Sequence, residues 1–252
     1  MQYGLQLYSV RNLTKDDFEG ALRQVAEMGY SMVEPAGFFD HKAEDVAAML
    51  KNYGLTACST HTGFGLLKDD LKGVIDYHKT IGCSDIIIPG APRGKKEEVA
   101  HLVETINQIQ PIIEAEGLRL HYHNHWQEFR PNADGQIVEE ILANETNVLF
   151  QIDTFGVFNA GLRAVDVLDQ YRDRIQFIHL KDGFPQNFDD PASKPVGTSL
   201  GSGAAPVEEI RRVAIERGLK IVIESEGLQP TGIEEVKRCI DFLKGLDAKD
   251  GK

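Results

Sequence analysis

The sequence predicts an α/β protein, a single (β/α)8 TIM barrel over residues 1–252, and three observations carry that prediction. One phrase recurs along the chain: a helical pattern, a glycine, then a short apolar strand, as in AEMGYSMVE, KNYGLTACS, KTIGCSDIIIP, EAEGLRLHYH and IERGLKIVIE. With three further strands, strand and helix alternate about eight times, the count of a closed parallel barrel. Polar residues close nearly every strand, and in such a barrel the C-terminal strand ends build the mouth where chemistry collects.

The first strand, GLQLYSV at residues 4–10, ends on Tyr8 and Ser9. It runs on into YSVRNLT without a G-x-G-x-x-G turn, which argues against an open, doubly wound sheet with a dinucleotide site. The run TKDDFEGALRQVAEMG reads as a helix with Thr14 as its N-cap and Gly29 just past its end; Gly54, Gly82, Gly117 and Gly218 suit the same left-handed position after later helices. Strand two ends on Glu34, strand three on His61, and strand five carries LHYHNHW at residues 120–126. Strand six, VLFQID, ends on Asp153; strand seven, IQFIHL, carries His179 and is followed by Lys181; strand eight leads to Glu224 and Glu226. Pro206 suits the first turn of the helix PVEEIRRVAIERG. Residues 182–205 form the longest irregular stretch and are expected to cover the mouth, their glycines suggesting either a phosphate-binding loop or a mobile lid.

Composition narrows the partners. A formal net charge of −12 disfavours nucleic acid, whose binders present a basic face, and favours small neutral or polar ligands. Cys58, Cys83 and Cys239 are odd in number and far apart, with no C-x-x-C, so neither a disulfide framework nor a zinc finger is expected; a reducing, cytoplasmic setting is. The opening MQYGLQLYSVRNLT shows no basic segment leading into an apolar run, and no stretch approaches membrane-spanning length, so no membrane partner is expected.

Successive strand side chains point to opposite faces, so His121, His123 and His125 share one. By the same parity Asp153 lies opposite Phe150 and Ile152, and Glu224 opposite Ile221 and Ile223, with the apolar residues toward the helices and the acids toward the mouth. Two carboxylates and imidazoles converging from adjacent strands form the ligand set of a divalent metal with open positions. The competing reading is a set of separate salt bridges and strand-end caps, which would leave like charges clustered without an ion.

Across essentially its whole length the chain resembles the xylose-isomerase-like sugar phosphate isomerase/epimerase superfamily of TIM barrels. The resemblance rests on GLQLYSV, VEPAGF, STHTGF, YHNHWQEF, IDTF, IHLKD and VIESEG, in order along the chain. It implies one divalent ion, commonly manganese and sometimes magnesium, cobalt or zinc, held by an acid on strand five, an aspartate on six, a histidine on seven and a glutamate on eight. The last three carry over to Asp153, His179 and Glu224. The first falls on His123, which is not an acid, so the chain resembles the subgroup with Tyr-His-Asn-His there. One of His123 and His125 is expected on the metal and the other as acid or base; the assignment adopted is His125 as ligand and His123 as catalytic residue. Two positions depart from the epimerases of the superfamily: Gly156, where they often carry histidine, and Pro185, where they use arginine.

The activity so implied is metal-dependent isomerisation or epimerisation of a keto-sugar or related polyol, with Glu224 removing the proton next to a metal-bound carbonyl. Loss of a β-hydroxyl or β-glycosyl group would instead make a dehydratase or lyase, and a catalytically silent sugar-binding module is the reading from another class. Glu34, His61 and Lys181 are expected to contact the substrate, as are Glu128 and Trp126 just beyond strand five. Dimers or tetramers are common in the superfamily, which implies a homo-oligomer. Zinc endonuclease relatives grip DNA, and the acidic charge argues against that activity here.

Overall fold

The computed structural model describes residues 1–251. One sheet of parallel strands curves into a barrel: β1 (Gly4–Gln6), β2 (Met32–Glu34), β3 (Thr56–Ala57), β4 (Thr60–His61), β5 (Asp85–Ile88), β6 (Arg119–His123), β7 (Leu149–Asp153) and β8 (Ile175–Leu180). A short antiparallel hairpin of β9 (Asp182–Phe184) and β10 (Val196–Thr198) follows, and β11 (Lys220–Ile223) then completes the sheet between β8 and β1. The strand order is β3-β2-β1-β11-β8-β7-β6-β5-β4.

The predicted third strand is broken into β3 and β4 at Cys58 and Ser59, where Ser59 turns its hydroxyl to donate to Glu34. Because β3 pairs with β2 and β4 with β5, and Ala36 bridges His61, the two pieces close the circle that the sheet order leaves open. This is the expected TIM barrel.

The apolar core lies mostly between the strands and the surrounding helices, where Phe150, Ile152, Ile221 and Ile223 meet helix residues such as Leu22, Leu102 and Ile106. Each fully buried side chain of this size stabilises the fold by about 1.5–3 kcal/mol. Inside the barrel a smaller apolar group, Met32, Cys58, Phe177 and Val222, forms a plug. Beside it Asp85 accepts from Arg119 (Nε, 2.7 Å) and lies 2.8 Å from His121 Nε2, so the first histidine of LHYHNHW belongs to the barrel floor. The buried Asp85 and His121, with the partly exposed Arg119, close the end opposite the mouth.

Several local expectations shift. The first strand stops at Gln6, whose side chain accepts from the Tyr8 amide at 2.9 Å and starts a 3-10 turn over Leu7–Val10. Thr14 falls inside a short helix, Arg11–Asp16, and Asp17 instead caps the helix Phe18–Met28 by accepting from Gly20 N at 2.8 Å. Gly29, at φ +97°, ends that helix in the left-handed conformation the sequence called for. Pro206 sits at the N-cap of Val207–Glu216, one residue ahead of the first turn. Among the described residues, no helix is long and apolar enough to cross a membrane.

Candidate metal centre and active site

The parity argument fixes the mouth. Asp153 closes β7 beside His179 of β8, and His179 is flanked on its other side by Val222 of β11, two residues before Glu224. One donor atom each from His123, Asp153, His179 and Glu224 lie within 4.8 Å of one another, all four residues buried. His125 is not in this group: β6 ends at His123, and His125 lies exposed in the following loop. The structure therefore corrects the adopted pairing of the two histidines. Alternation puts both on one side, but only His123 is still on the strand.

Beneath the four residues lies a hydrogen-bonded platform centred on Glu34. Its carboxylate accepts from Gln6 Nε2 (2.6 Å), Gln151 Nε2 (2.6 Å), Ser59 Oγ and the His179 Nε2 side (2.6 Å), with His61 Nε2 3.2 Å away. Because Gln151 donates its amide nitrogen to Glu34, its oxygen faces the imidazoles, 2.8 Å from His61 Nε2 and 3.0 Å from His123 Nδ1. An amide oxygen only accepts, so both rings donate to it through those nitrogens. His123 Nε2 and His61 Nδ1 keep their lone pairs.

Three of the four cluster residues thus have one atom already fixed. His179 is held by Glu34, His123 by Gln151, and Asp153 by Gly156 N, which donates to its Oδ1 at 2.8 Å. The remaining donor atoms converge. Two oriented imidazoles with two carboxylates suit a borderline divalent ion, and carboxylate or amide partners behind the ligands are the arrangement that sets imidazole tautomers at such sites. By the chemistry of the donor set, the residues present fit a metal.

The electrostatics follow from burial and proximity. Burial alone would raise Glu34, but His61 and His179 beside it bring its carboxyl down to about 2. Burial would deprotonate His179, yet Glu34 and Glu224 on its two nitrogens push it up to about 10. Burial, and then His179 and His61 nearby, hold His123 well below its ordinary value, so it is a neutral imidazole. Burial also lowers His61. Lys181 reaches into the mouth 3.5 Å from Glu224 Oε2 and 3.9 Å from Asp153 Oδ2, and it contacts Glu226. Burial opposes its charge, but Glu224, Asp153 and Glu226 outweigh burial and keep the ammonium.

A cavity of 480 Å³ opens above the cluster, lined by Tyr8, His61, His123, His125, Lys181 and Glu224 among others. His61 and Lys181, expected at the substrate, therefore do face it. Glu34 and Glu128 do not. Both are 0% exposed, Glu34 inside the platform and Glu128 between Arg93 (2.6 Å), the Tyr122 hydroxyl (3.0 Å) and the His125 amide (2.9 Å). A carboxylate so surrounded presents no free oxygen to a sugar hydroxyl, so the expected contacts are corrected to supporting positions. The glycine-rich segment differs too: Gly201 N and Gly203 N (2.9 Å each) and Ala205 N (3.1 Å) all donate to Asp182, so the suspected phosphate nest already holds the chain's own carboxylate.

Sequence reading missed Gln6, Ser59 and Gln151. Gln151 carried a signal, since it shares the parity of Asp153 within an otherwise apolar strand. Gly156 also has a reason to lack a side chain, because a Cβ there would lie 3.0 Å from the His125 carbonyl carbon and 3.1 Å from Asn124 Nδ2. A side chain at 156 would meet the His125 backbone and the Asn124 side chain.

Comparison with known proteins places this architecture. The pattern of the "Xylose isomerase-like TIM barrel" family matches residues 22–246. The chain belongs to this family. A curated relative, the inosose dehydratase of Geobacillus kaustophilus (strain HTA426), is 27% identical over 188 residues, 64% of this chain and 60% of that protein. The chain thus matches about three fifths of that relative's length. Among solved xylose isomerase-like structures, a sugar phosphate isomerase/epimerase from Parabacteroides distasonis superposes with a TM-score of 0.78 at 22% identity, covering 96% of this chain and 93% of its own. The IOLI protein, whose structure is described with a bound zinc atom, superposes with a TM-score of 0.75 at 17% identity over 99% of each chain.

Proposed function

We propose that this protein removes the proton next to the carbonyl of a polyhydroxylated ketone and expels the hydroxyl one carbon further on, as a metal-dependent dehydratase. The observation that carries this is Lys181, a buried ammonium fixed beside Glu224 in the wall of the mouth cavity. His123, Asp153, His179 and Glu224 would hold a divalent ion, which would supply Lewis acidity at the carbonyl.

The chain's own residues do the rest. Glu224 would keep one carboxylate oxygen on the ion and take the proton on the other, with Lys181 3.5 Å from Oε2. Lys181 stays charged throughout and stabilises negative charge as it develops on substrate oxygen, an effect strong in a site that excludes water. His125, in the cavity wall, would protonate the departing hydroxyl. Electrons of the broken C–H bond become the new double bond, the C–O bond breaks, and the hydroxide leaves as water. Dehydration is favoured over epimerisation because the curated relative is an inosose dehydratase and because Gly156 and Pro185 stand where the epimerases carry histidine and arginine.

The test is to incubate the manganese-loaded protein with a keto-cyclitol such as an inosose in deuterated water. Loss of one water, with solvent deuterium entering the carbon that lost its hydroxyl as the enol product ketonises, is the expected result, and Glu224→Gln reduces both by at least a hundredfold. Deuterium entry with no loss of water would replace the dehydratase reading with the epimerase or isomerase one. Neither reaction would leave a sugar-binding module.

A further inference from the structure

A second cavity of 290 Å³ adjoins the first, and His125, Lys181 and Glu226 line both. Its far wall includes Arg11, Trp126, Gln127 and Asn159. Asn159 is 2% exposed. Its Oδ1 accepts from the Gln186 amide at 2.8 Å, which fixes the amide's orientation, while its Nδ2 is buried without a partner. A buried donor left unpaired costs about 1–3 kcal/mol. Asn159 is a lining residue of this cavity, where a ligand acceptor would satisfy the donor.

The chemistry of that acceptor follows from the walls. Arg11 and Lys181 face Asp153 and Glu226, so the compartment carries no net positive charge to attract an anion, and Lys181 is already engaged by carboxylates. Trp126 offers an aromatic wall of the kind that covers the apolar face of an amphipathic ligand. We infer that this compartment is a subsite for a second, neutral, hydroxyl-bearing ring joined to the reacting one, with Asn159 Nδ2 donating to its oxygen. The preferred substrate class becomes a two-ring polyol, such as a glycoside, over a single free ring. The inference rests on the proposed function for what occupies the first cavity.

Trp126 is the only tryptophan of the chain and is therefore a built-in probe. Its fluorescence should be titrated in the manganese-loaded protein with maltose, cellobiose and trehalose against glucose, methyl glucoside and myo-inositol. At least one two-ring ligand should bind tenfold more tightly than every single-ring one. Asn159→Asp, which keeps the acceptor for Gln186 and removes the donor, should erase that advantage while changing single-ring affinity less than twofold. Trp126→Ala, followed by calorimetry, should do the same. Equal affinity for one and two rings in the unaltered protein overturns the subsite whatever the variants do. Because deuterium exchange into a keto-cyclitol is measured separately, exchange without two-ring preference removes the subsite alone, and preference without exchange removes the reaction.

Discussion

Glu34 has no exposed surface, yet four side chains donate to it from four different strands or their connections. Its work is orientation. By taking the Nε2 side of His179 it turns Nδ1 toward Glu224, and through Gln151 it sets the ring of His123. Glu34→Gln would place an amide nitrogen against groups that all donate, leaving at least one unpaired. We expect manganese or zinc affinity, read by competition with a chelator, to fall about 10- to 100-fold, and stability to drop by about 2 kcal/mol. Unchanged affinity would remove Glu34 from the positioning of His179. The glutamate itself was conspicuous in VEPAGF, but its role was not, because a strand-end acid reads the same from sequence whether it faces a cavity or closes a network.

At the scale of elements, the segment after β8 shows how local pattern and tertiary role diverge. Residues 182–205 contain the β9–β10 hairpin, and their glycines wrap Asp182. A Cβ at Gly203 would stand 2.2 Å from Asp182 Oδ1, which is why glycine is needed there. Phe188, at the hairpin's tip, packs 5.2 Å from Trp126 and lies under the Arg130 guanidinium at 3.9 Å, so the segment bends over the second cavity. Asp182→Ala removes one acceptor from several backbone donors, each such bond contributing about 1.5–3 kcal/mol. Amide exchange at Gly201, Gly203 and Ala205 should accelerate at least tenfold; exchange at the unaltered rate would show that the loop holds its shape without the carboxylate. Sequence could place this stretch at the mouth, since strand seven precedes it, but not tell a nest filled from within from one open to phosphate.

Across the whole molecule, the chain's two ends are tied beside the barrel. Asp247 accepts from the Met1 ammonium at 3.1 Å, the Tyr3 hydroxyl at 2.7 Å and Arg211, which also donates to Tyr3 at 2.9 Å. Burial opposes the carboxylate, but Tyr3, Arg211 and the N-terminus outweigh it and hold Asp247 below its ordinary value. A lowered carboxyl stabilises the fold above the unfolded value, about 3.9, and that stabilisation is lost as pH falls through the lower folded value. Asp247→Asn should therefore cost about 2–3 kcal/mol near neutral pH in denaturant melts, the gap to the unaltered protein narrowing in acid; a pH-independent gap would sink the assignment. At this scale the sequence by itself determined the barrel and the sides faced by Asp153 and Glu224, because alternation and helix-ending glycines are local and survive without a partner. The tertiary structure alone decided that His123, not His125, joins the cluster, that Glu34 and Glu128 are buried, and that Gln151 reads two imidazoles at once. Those facts depend on where a strand stops and on which atoms meet across the barrel, and neither distance is written in the order of residues along the chain.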